Sequence, residues 1–96
     1  MQVDIKYIDV LAKKLKLPGE EIIRESLRLY VEKRIRELKT EIYKIRAKYG
    51  VSSIEEFEDK YKTGEIEEQD SWQEFQRLDH LEYKIEELEK TLLEIH

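Results

Sequence analysis

Residues 31–49, VEKRIRELKTEIYKIRAKY, decide the fold of this chain. The apolar side chains of this stretch follow one another at intervals of 4, 3, 4, 3 and 4 residues: Val31, Ile35, Leu38, Ile42, Ile45 and Tyr49. A heptad spacing of this kind places every apolar side chain on one narrow stripe of an α-helix. The pattern therefore predicts a long helix whose stripe packs against one or more partner helices.

A second stripe of the same kind lies near the C-terminal end of the sequence. Its members are spaced 3, 4, 3, 4 and 3 residues apart: Leu78, Leu81, Ile85, Leu88, Leu92 and Ile95. Asp70 or Ser71 can cap the N-terminus of this helix, and Glu74 completes the Ser-x-x-Glu capping pattern. Two long helices with matching stripes and a short connection are expected to form an antiparallel hairpin.

Boundary signals divide the rest of the chain into shorter segments. Apolar residues recur every three or four positions before Leu17-Pro18, which predicts a first helix that ends there. Gly50 is placed to take the left-handed cap of the second helix, residues 52–56 (SSIEE) have capping-box spacing, and Gly64 ends the third helix. The sequence thus predicts a single helical domain over residues 1–96, with helices at 4–16, 18–49, 53–63 and 71–95.

The predicted fold class is all-α, an antiparallel helical hairpin or coiled coil with a short N-terminal helix and a short connecting helix. Charge supports the pairing, because cations flank the stripe of helix two and carboxylates flank that of helix four. They are Lys33, Arg34, Arg36, Lys39, Lys44 and Arg46 on the one side and Glu82, Glu86, Glu87, Glu89 and Glu94 on the other. A two-helix hairpin leaves much apolar surface in water, so we expect the chain to form a homodimeric helical bundle through the two stripes.

Composition limits the chemistry available to the chain. It has 96 residues, 40% hydrophobic and 43% charged, with no Cys, which excludes disulfides, thiolate zinc sites and thiol nucleophiles. Neither His80 nor His96 has an acidic residue at the Glu-x-x-His spacing of di-iron bundles. Abundant Lys and Glu beside scarce Pro and Gly are typical of a thermophile protein. We expect a soluble cytoplasmic protein that is not an enzyme, binds no metal or cofactor and does not span a membrane.

Charge is distributed unevenly along the chain. Residues 1–48 hold 13 Lys and Arg against 8 Asp and Glu, a net charge of +5, whereas residues 49–96 hold 5 against 15, a net charge of −10. Either the two halves have separate partners, or they neutralise each other within the fold. One cluster in the basic half has the composition to contact nucleic-acid phosphates, although an ordinary solvated face is the simpler interpretation. Its members are Lys13, Lys14, Lys16, Arg24 and Arg28.

Residues 11–38, LAKKLKLPGEEIIRESLRLYVEKRIREL, resemble the two helices of ribbon-helix-helix proteins, a family of repressors and antitoxins. That family reads the major groove with a paired N-terminal strand, whereas only residues 1–4 precede the first helix here, which puts base readout in doubt. The whole chain, with the turn KYGVSSIEEF at residues 48–57 and the acidic segment around residues 72–81, resembles small archaeal antitoxins of type II toxin-antitoxin modules.

That resemblance implies a dimerising N-terminal part and an acidic segment that wraps a basic toxin and blocks its active site. The oppositely charged halves fit this division. The acidic segment holds the candidate partner-binding residues, with aromatic side chains as interface anchors. They are Glu67, Glu68, Asp70, Trp72, Glu74, Phe75, Asp79 and Tyr83. The alternatives are that Trp72 packs under helix three within one chain, and that the protein is a coiled-coil scaffold or a DNA-binding transcriptional regulator.

Overall fold

The computed structural model describes residues 4–95, and within this range the chain forms four α-helices and no β-strand. The helices are α1 (Lys6–Leu15), α2 (Gly19–Tyr49), α3 (Ile54–Thr63) and α4 (Glu68–Glu94). The predicted all-α fold class is confirmed. The helix boundaries lie within two residues of the predicted ones, except that α4 begins three residues before the predicted Ser71.

The two long helices, α2 and α4, form an antiparallel hairpin whose apolar stripes face each other. Both stripes supply side chains that are at most 8% exposed: Val31, Ile35, Leu38, Ile42 and Ile45 from α2, and Leu78, Leu81 and Ile85 from α4. Leu88, Leu92 and Ile95 continue the α4 stripe in partly buried positions. The ion pairs between the two helices are Glu41–Arg77, Arg46–Glu82 and Lys48–Glu74.

The hairpin pairs the two stripes with each other within one chain, as their matching spacing predicts. The further expectation that the same stripes hold two copies of the chain together stays a prediction. Of the predicted flanking charges, Arg46 and Glu82 pair across the hairpin at 2.8 Å. Arg34 instead pairs with Glu37 of its own helix, as Glu86 does with Lys90. A homodimer therefore stays a prediction.

Helix α3 covers one end of the hairpin, which we call the closed end, formed by residues 49–78. Phe57 is fully buried there, with its ring centroid 4.8 Å from that of Tyr49, 5.2 Å from Tyr61 and 5.3 Å from Phe75. The Ser53 hydroxyl caps α3 by accepting a hydrogen bond from the Glu56 amide at 3.1 Å, as the capping-box spacing predicts. Gly50 ends α2 with a φ of +63°, the left-handed conformation expected of it.

The start of α4 differs from the prediction because Ser71 belongs to the core and does not cap the helix. Ser71 is 1% exposed, and its hydroxyl donates to the Glu67 carbonyl at 2.8 Å and lies 2.8 Å from the Tyr61 hydroxyl. Glu74 completes no capping pattern either, since its carboxylate accepts hydrogen bonds from Lys48 and Tyr49 of α2. Hydrogen bonds across the closed end therefore replace the predicted local cap.

The opposite end, which we call the open end, consists of α1, residues 19–30 of α2 and the last turn of α4. Helix α1 packs against α2 but contains no buried residue. The turn between them places Lys16 at a φ of +57°, where the Leu17 amide donates to the Ala12 carbonyl at 3.0 Å. The radius of gyration is 19.7 Å, whereas a compact domain of this length has about 12.5 Å. The molecule is thus elongated, and the open end extends from the hairpin without a buried core of its own in α1.

Candidate functional site

Five of the eight predicted partner-binding residues lie along one face of α4. Because an α-helix turns about 100° per residue, these five side chains leave the helix within about 80° of one another. We call them the outer stripe, and they are Glu68, Trp72, Phe75, Asp79 and Tyr83. The buried residues of α4 that face α2 leave the helix in a different direction, about 130° away. The outer stripe is therefore separate from the hairpin interface.

Trp72 is the largest exposed group of the outer stripe. Its indole is stacked on the Phe75 ring, with centroids 5.5 Å apart and ring planes inclined by 18°. Phe75 is itself half-buried and packs against Phe57 and Tyr61 at centroid distances of 5.3 and 5.5 Å. Trp72 nevertheless remains 43% exposed. Phe75 thus packs under α3 within the chain, while Trp72 presents a face that the aromatic core holds in place.

The stripe continues to Tyr83, one helical turn beyond Asp79. Tyr83 is 60% exposed, and interaction with the Glu87 carboxylate raises the pKa of its hydroxyl above the ordinary value of 10.0. Trp72 and Tyr83 are separated by about 16 Å along the helix axis at 1.5 Å per residue. Two exposed aromatic groups thus flank the exposed Asp79 on one rigid helix.

The other three predicted partner-binding residues do not join this face. Glu74 points to α2, where hydrogen bonds from Lys48 at 2.6 Å and Tyr49 at 2.5 Å hold the pKa of its carboxyl below the ordinary 4.5. Glu67 is the N-cap residue of α4, and its carbonyl accepts the Ser71 hydrogen bond. Asp70 is exposed in the first turn of α4, on another side of the helix.

The predicted nucleic-acid contacts are all exposed, but two of the five cations are engaged in ion pairs. Arg24 contacts Glu21 at 2.9 Å, and Arg28 pairs with Glu25, in each case within one turn of α2. Lys13 and Lys14 lie in the last turn of α1, where cations favour the negative end of the helix dipole. Lys16 occupies the following turn. These contacts support the solvated-face interpretation of the cluster.

Sequence reasoning missed one apolar stripe on α2, at the open end. Ile23, Leu27 and Tyr30 are 44%, 51% and 68% exposed and share one face of the helix. Their spacing of four and three residues is visible in the sequence, but the longer heptad that begins at Val31 obscures it. His80 is exposed on α4, and His96 lies outside the described residues.

Within residues 4–95, no group of three or more His, Cys, Asp and Glu side chains is arranged to hold a metal ion. In the same range, no helix is both long enough and apolar enough to cross a membrane.

Comparison with known proteins gives two matches. The model of the family described as "Uncharacterized protein MJ0235 family" matches residues 1–96. The chain is also 32% identical, over 77 residues, to a Methanocaldococcus jannaschii protein described as "Uncharacterized protein MJ0235". That alignment covers 80% of this chain and 94% of the relative. No solved structure gives a significant match.

Proposed function

This chain belongs to the Uncharacterized protein MJ0235 family, and we propose that it is an antitoxin-like interaction protein that binds a basic protein partner through the outer stripe of α4. The observation that carries the proposal is the exposed Trp72 indole, stacked on Phe75 and aligned with the carboxylates of Glu68 and Asp79. These groups combine an apolar anchor with acidic neighbours on one helix face.

Trp72 has the properties of an interface anchor. Tryptophan is enriched among the residues that contribute most to protein–protein binding energy, because it buries a large area and has only two side-chain torsions to fix. Stacking on Phe75 already restricts the indole before binding. A partner that covers Trp72 therefore gains apolar burial at a small cost in conformational entropy.

The charge of the stripe favours a basic partner. Within residues 4–95, the salt bridges of α4 involve Glu74, Arg77, Glu82, Glu86 and Lys90, and neither Glu68 nor Asp79 forms one. Their negative charge is therefore not neutralised by a neighbouring cation of the chain. Carboxylates around an anchor raise the association rate of a cationic protein and disfavour acidic competitors. A small basic toxin, encoded beside this chain, is the partner that best fits this chemistry.

The first test is co-expression of the full chain with the basic product of the adjacent gene, followed by co-purification and a growth assay. We expect the complex to be retained and the toxicity to be relieved. Trp72→Ala should weaken binding by about 2 kcal/mol, or about 30-fold in Kd, mainly through faster dissociation. The association rate should fall with rising ionic strength, because exposed charges are screened by salt.

Tyr43→Ala is the matched control, because Tyr43 is a 62% exposed aromatic residue on α2. It should leave both rates unchanged, and Trp72→Phe should recover part of the affinity. Equal loss in Trp72→Ala and Tyr43→Ala contradicts the assignment of the site. A basic neighbour that stays toxic in the presence of the full chain contradicts the antitoxin proposal. Failure of any host protein to bind favours a structural scaffold.

A further inference from the structure

At the open end of the molecule, the apolar stripe on α2 lies between two charged residues. Ile23, Leu27 and Tyr30 are preceded by Glu20 and followed by Arg34, so the five positions are spaced 3, 4, 3 and 4 residues apart. All five side chains leave the helix within about 80° of one another. This α2 stripe, residues 20–34, therefore has the heptad spacing of a helix–helix interface, yet its three apolar members are 44–68% exposed.

The hairpin stops short of covering this stripe. Glu94 and Ile95 at the end of α4 border a groove with Glu20, Ile23, Arg24 and Leu27, and the apolar stripe residues beside this groove remain exposed. The accessible surface of the chain is 7708 Å², whereas a compact monomer of this mass has about 5,900 Å². The excess of about 1,800 Å² reflects the elongated shape of the whole chain, to which the exposed stripe contributes.

The charged ends of the stripe are complementary when one copy is reversed, and Ile23 then faces Val31, the first residue of the hairpin core. An antiparallel pair of α2 helices centred on Leu27 places Glu20 of each copy opposite Arg34 of the other, and Leu27 opposite Leu27. A parallel pair instead places Glu20 opposite Glu20 and Arg34 opposite Arg34, which like-charge repulsion disfavours. The same centre brings Arg24 opposite Tyr30, a pair suited to a cation–π contact.

The overall charge also favours contact at this end. Residues 4–30 contain six cations and five anions, whereas residues 31–95 contain twelve cations and eighteen anions. Two identical copies therefore meet little net repulsion between their open ends, whereas the remaining residues carry a net charge of −6. In the stripe region the flanking charges Arg24 and Arg28 already pair with Glu21 and Glu25.

We propose that the α2 stripe is a homodimer interface, in which the occupant is a second copy of this chain packed antiparallel about a twofold axis at Leu27. The contact is isologous, since the same surface serves both copies. This interface continues the apolar core of the hairpin beyond the last turn of α4. It is independent of the outer stripe, which lies on α4 and faces away from α2.

Cross-linking tests the geometry directly, because the chain has no Cys of its own. Leu27→Cys should form a disulfide-linked or short bismaleimide-linked dimer, since the two positions meet at the axis. Tyr43→Cys, a 62% exposed position further along α2, should form no covalent dimer under the same treatment, because the two Tyr43 positions lie far from the axis. Cross-linking of Tyr43→Cys as fast as Leu27→Cys overturns the proposed centre.

Sedimentation equilibrium tests the association itself and its electrostatics. The unmodified chain should have twice the mass of one 11.7 kDa chain at micromolar concentration. Glu20→Arg alone and Arg34→Glu alone should each raise the dimer Kd about tenfold or more, whereas the double variant should restore it. Unchanged helicity by circular dichroism excludes misfolding as the cause. A monomeric unmodified chain, or a double variant as weak as the single ones, overturns the proposal.

Discussion

The two ends of this molecule are built from similar helical sequence but differ in what their apolar residues contact. At the closed end, Phe57 and Leu78 are fully buried and the aromatic rings around Phe57 contact one another. At the open end, α1 has no buried residue, and Leu27 is 51% exposed. The closed end is completed within one chain, whereas the open end has surface left for a partner.

This difference follows from where the second long helix lies. Helix α4 begins close to the end of α2 and supplies Ser71, Phe75 and Leu78 to the closed end. Its last turn, at Glu94, lies beside Leu27, and within residues 4–95 the first turns of α2 pack mainly against the ten-residue α1. A helix this short is marginal without tertiary packing. We therefore expect stability to reside at the closed end and association at the open end.

The largest expected effect comes from Phe57→Ala at the closed end. Removal of a fully buried ring that contacts three other rings leaves a cavity, and the free energy of unfolding should fall by about 3–5 kcal/mol. Urea unfolding followed by circular dichroism measures the change. The open-end control is Leu93→Ala, at a leucine that is 71% exposed, with an expected effect within about 0.5 kcal/mol. Equal losses in the two variants contradict the division of stability between the ends.

Most of this fold could be predicted from the sequence because heptad spacing and helix caps are local signals. The stripes that include Leu38 and Leu81, and the turn at Gly50, lie where spacing and backbone preference indicate. Spacing predicts the hairpin that the two stripes form, but it does not reveal whether a second copy of the chain also contacts them. Ser71 was misinterpreted for a related reason, since a serine before a helix and a serine buried against Tyr61 have the same local sequence.

The candidate site was less predictable than the fold. Trp72 and Tyr83 were identified because aromatic residues in an acidic segment are conspicuous, and both are exposed. Phe75 and Glu74 looked equally suitable, but tertiary contacts with Phe57 and Lys48 engage them within the chain. The side of α4 that faces α2 decides which of these side chains are engaged, and that orientation depends on the packing of the whole hairpin. Composition alone could not separate the engaged side chains from the free ones.

A smaller effect is expected from the carboxylate that joins α2 to α4 at the closed end. Because hydrogen bonds from Lys48 and Tyr49 lower the pKa of Glu74, ionised Glu74 stabilises the fold above its ordinary pKa of 4.5. This stabilisation is lost as the pH falls below that value through the lowered pKa of the folded state. Glu74→Gln should cost about 1 kcal/mol at neutral pH and less in acid.

Urea unfolding at neutral pH and below pH 4 measures this change for Glu74→Gln and for the control Glu89→Gln, at an exposed position on α4. The difference between Glu74→Gln and the unmodified chain should shrink in acid. A difference that is independent of pH contradicts a role for the ionised carboxylate. A pH dependence of equal size in Glu89→Gln attributes the effect to the general acidity of α4 and not to the closed end.

The smallest effect distinguishes the turns at the two ends. The closed end places glycines at positive φ, Gly50 at +63° and Gly64 at +79°, whereas the open end places Lys16 there at +57°. A side chain with a Cβ is strained in this conformation, so Lys16→Gly should stabilise the chain by about 0.5–1 kcal/mol. Gly50→Ala is the reverse test and should cost about 1 kcal/mol.

Hydrogen exchange of the α1 amides shows which part of the chain the Lys16→Gly substitution stabilises. If α1 opens separately from the finished hairpin, its amides should be protected more strongly in Lys16→Gly while those around Phe57 exchange as before. Slower exchange at both ends indicates that the chain unfolds as one unit, which contradicts a separable open end. A gain in protection confined to α1 shows instead that strain in the α1–α2 turn lowers the stability of the open end. The open end, where we place the second copy, is then less stable than the hairpin core, which is complete within one chain.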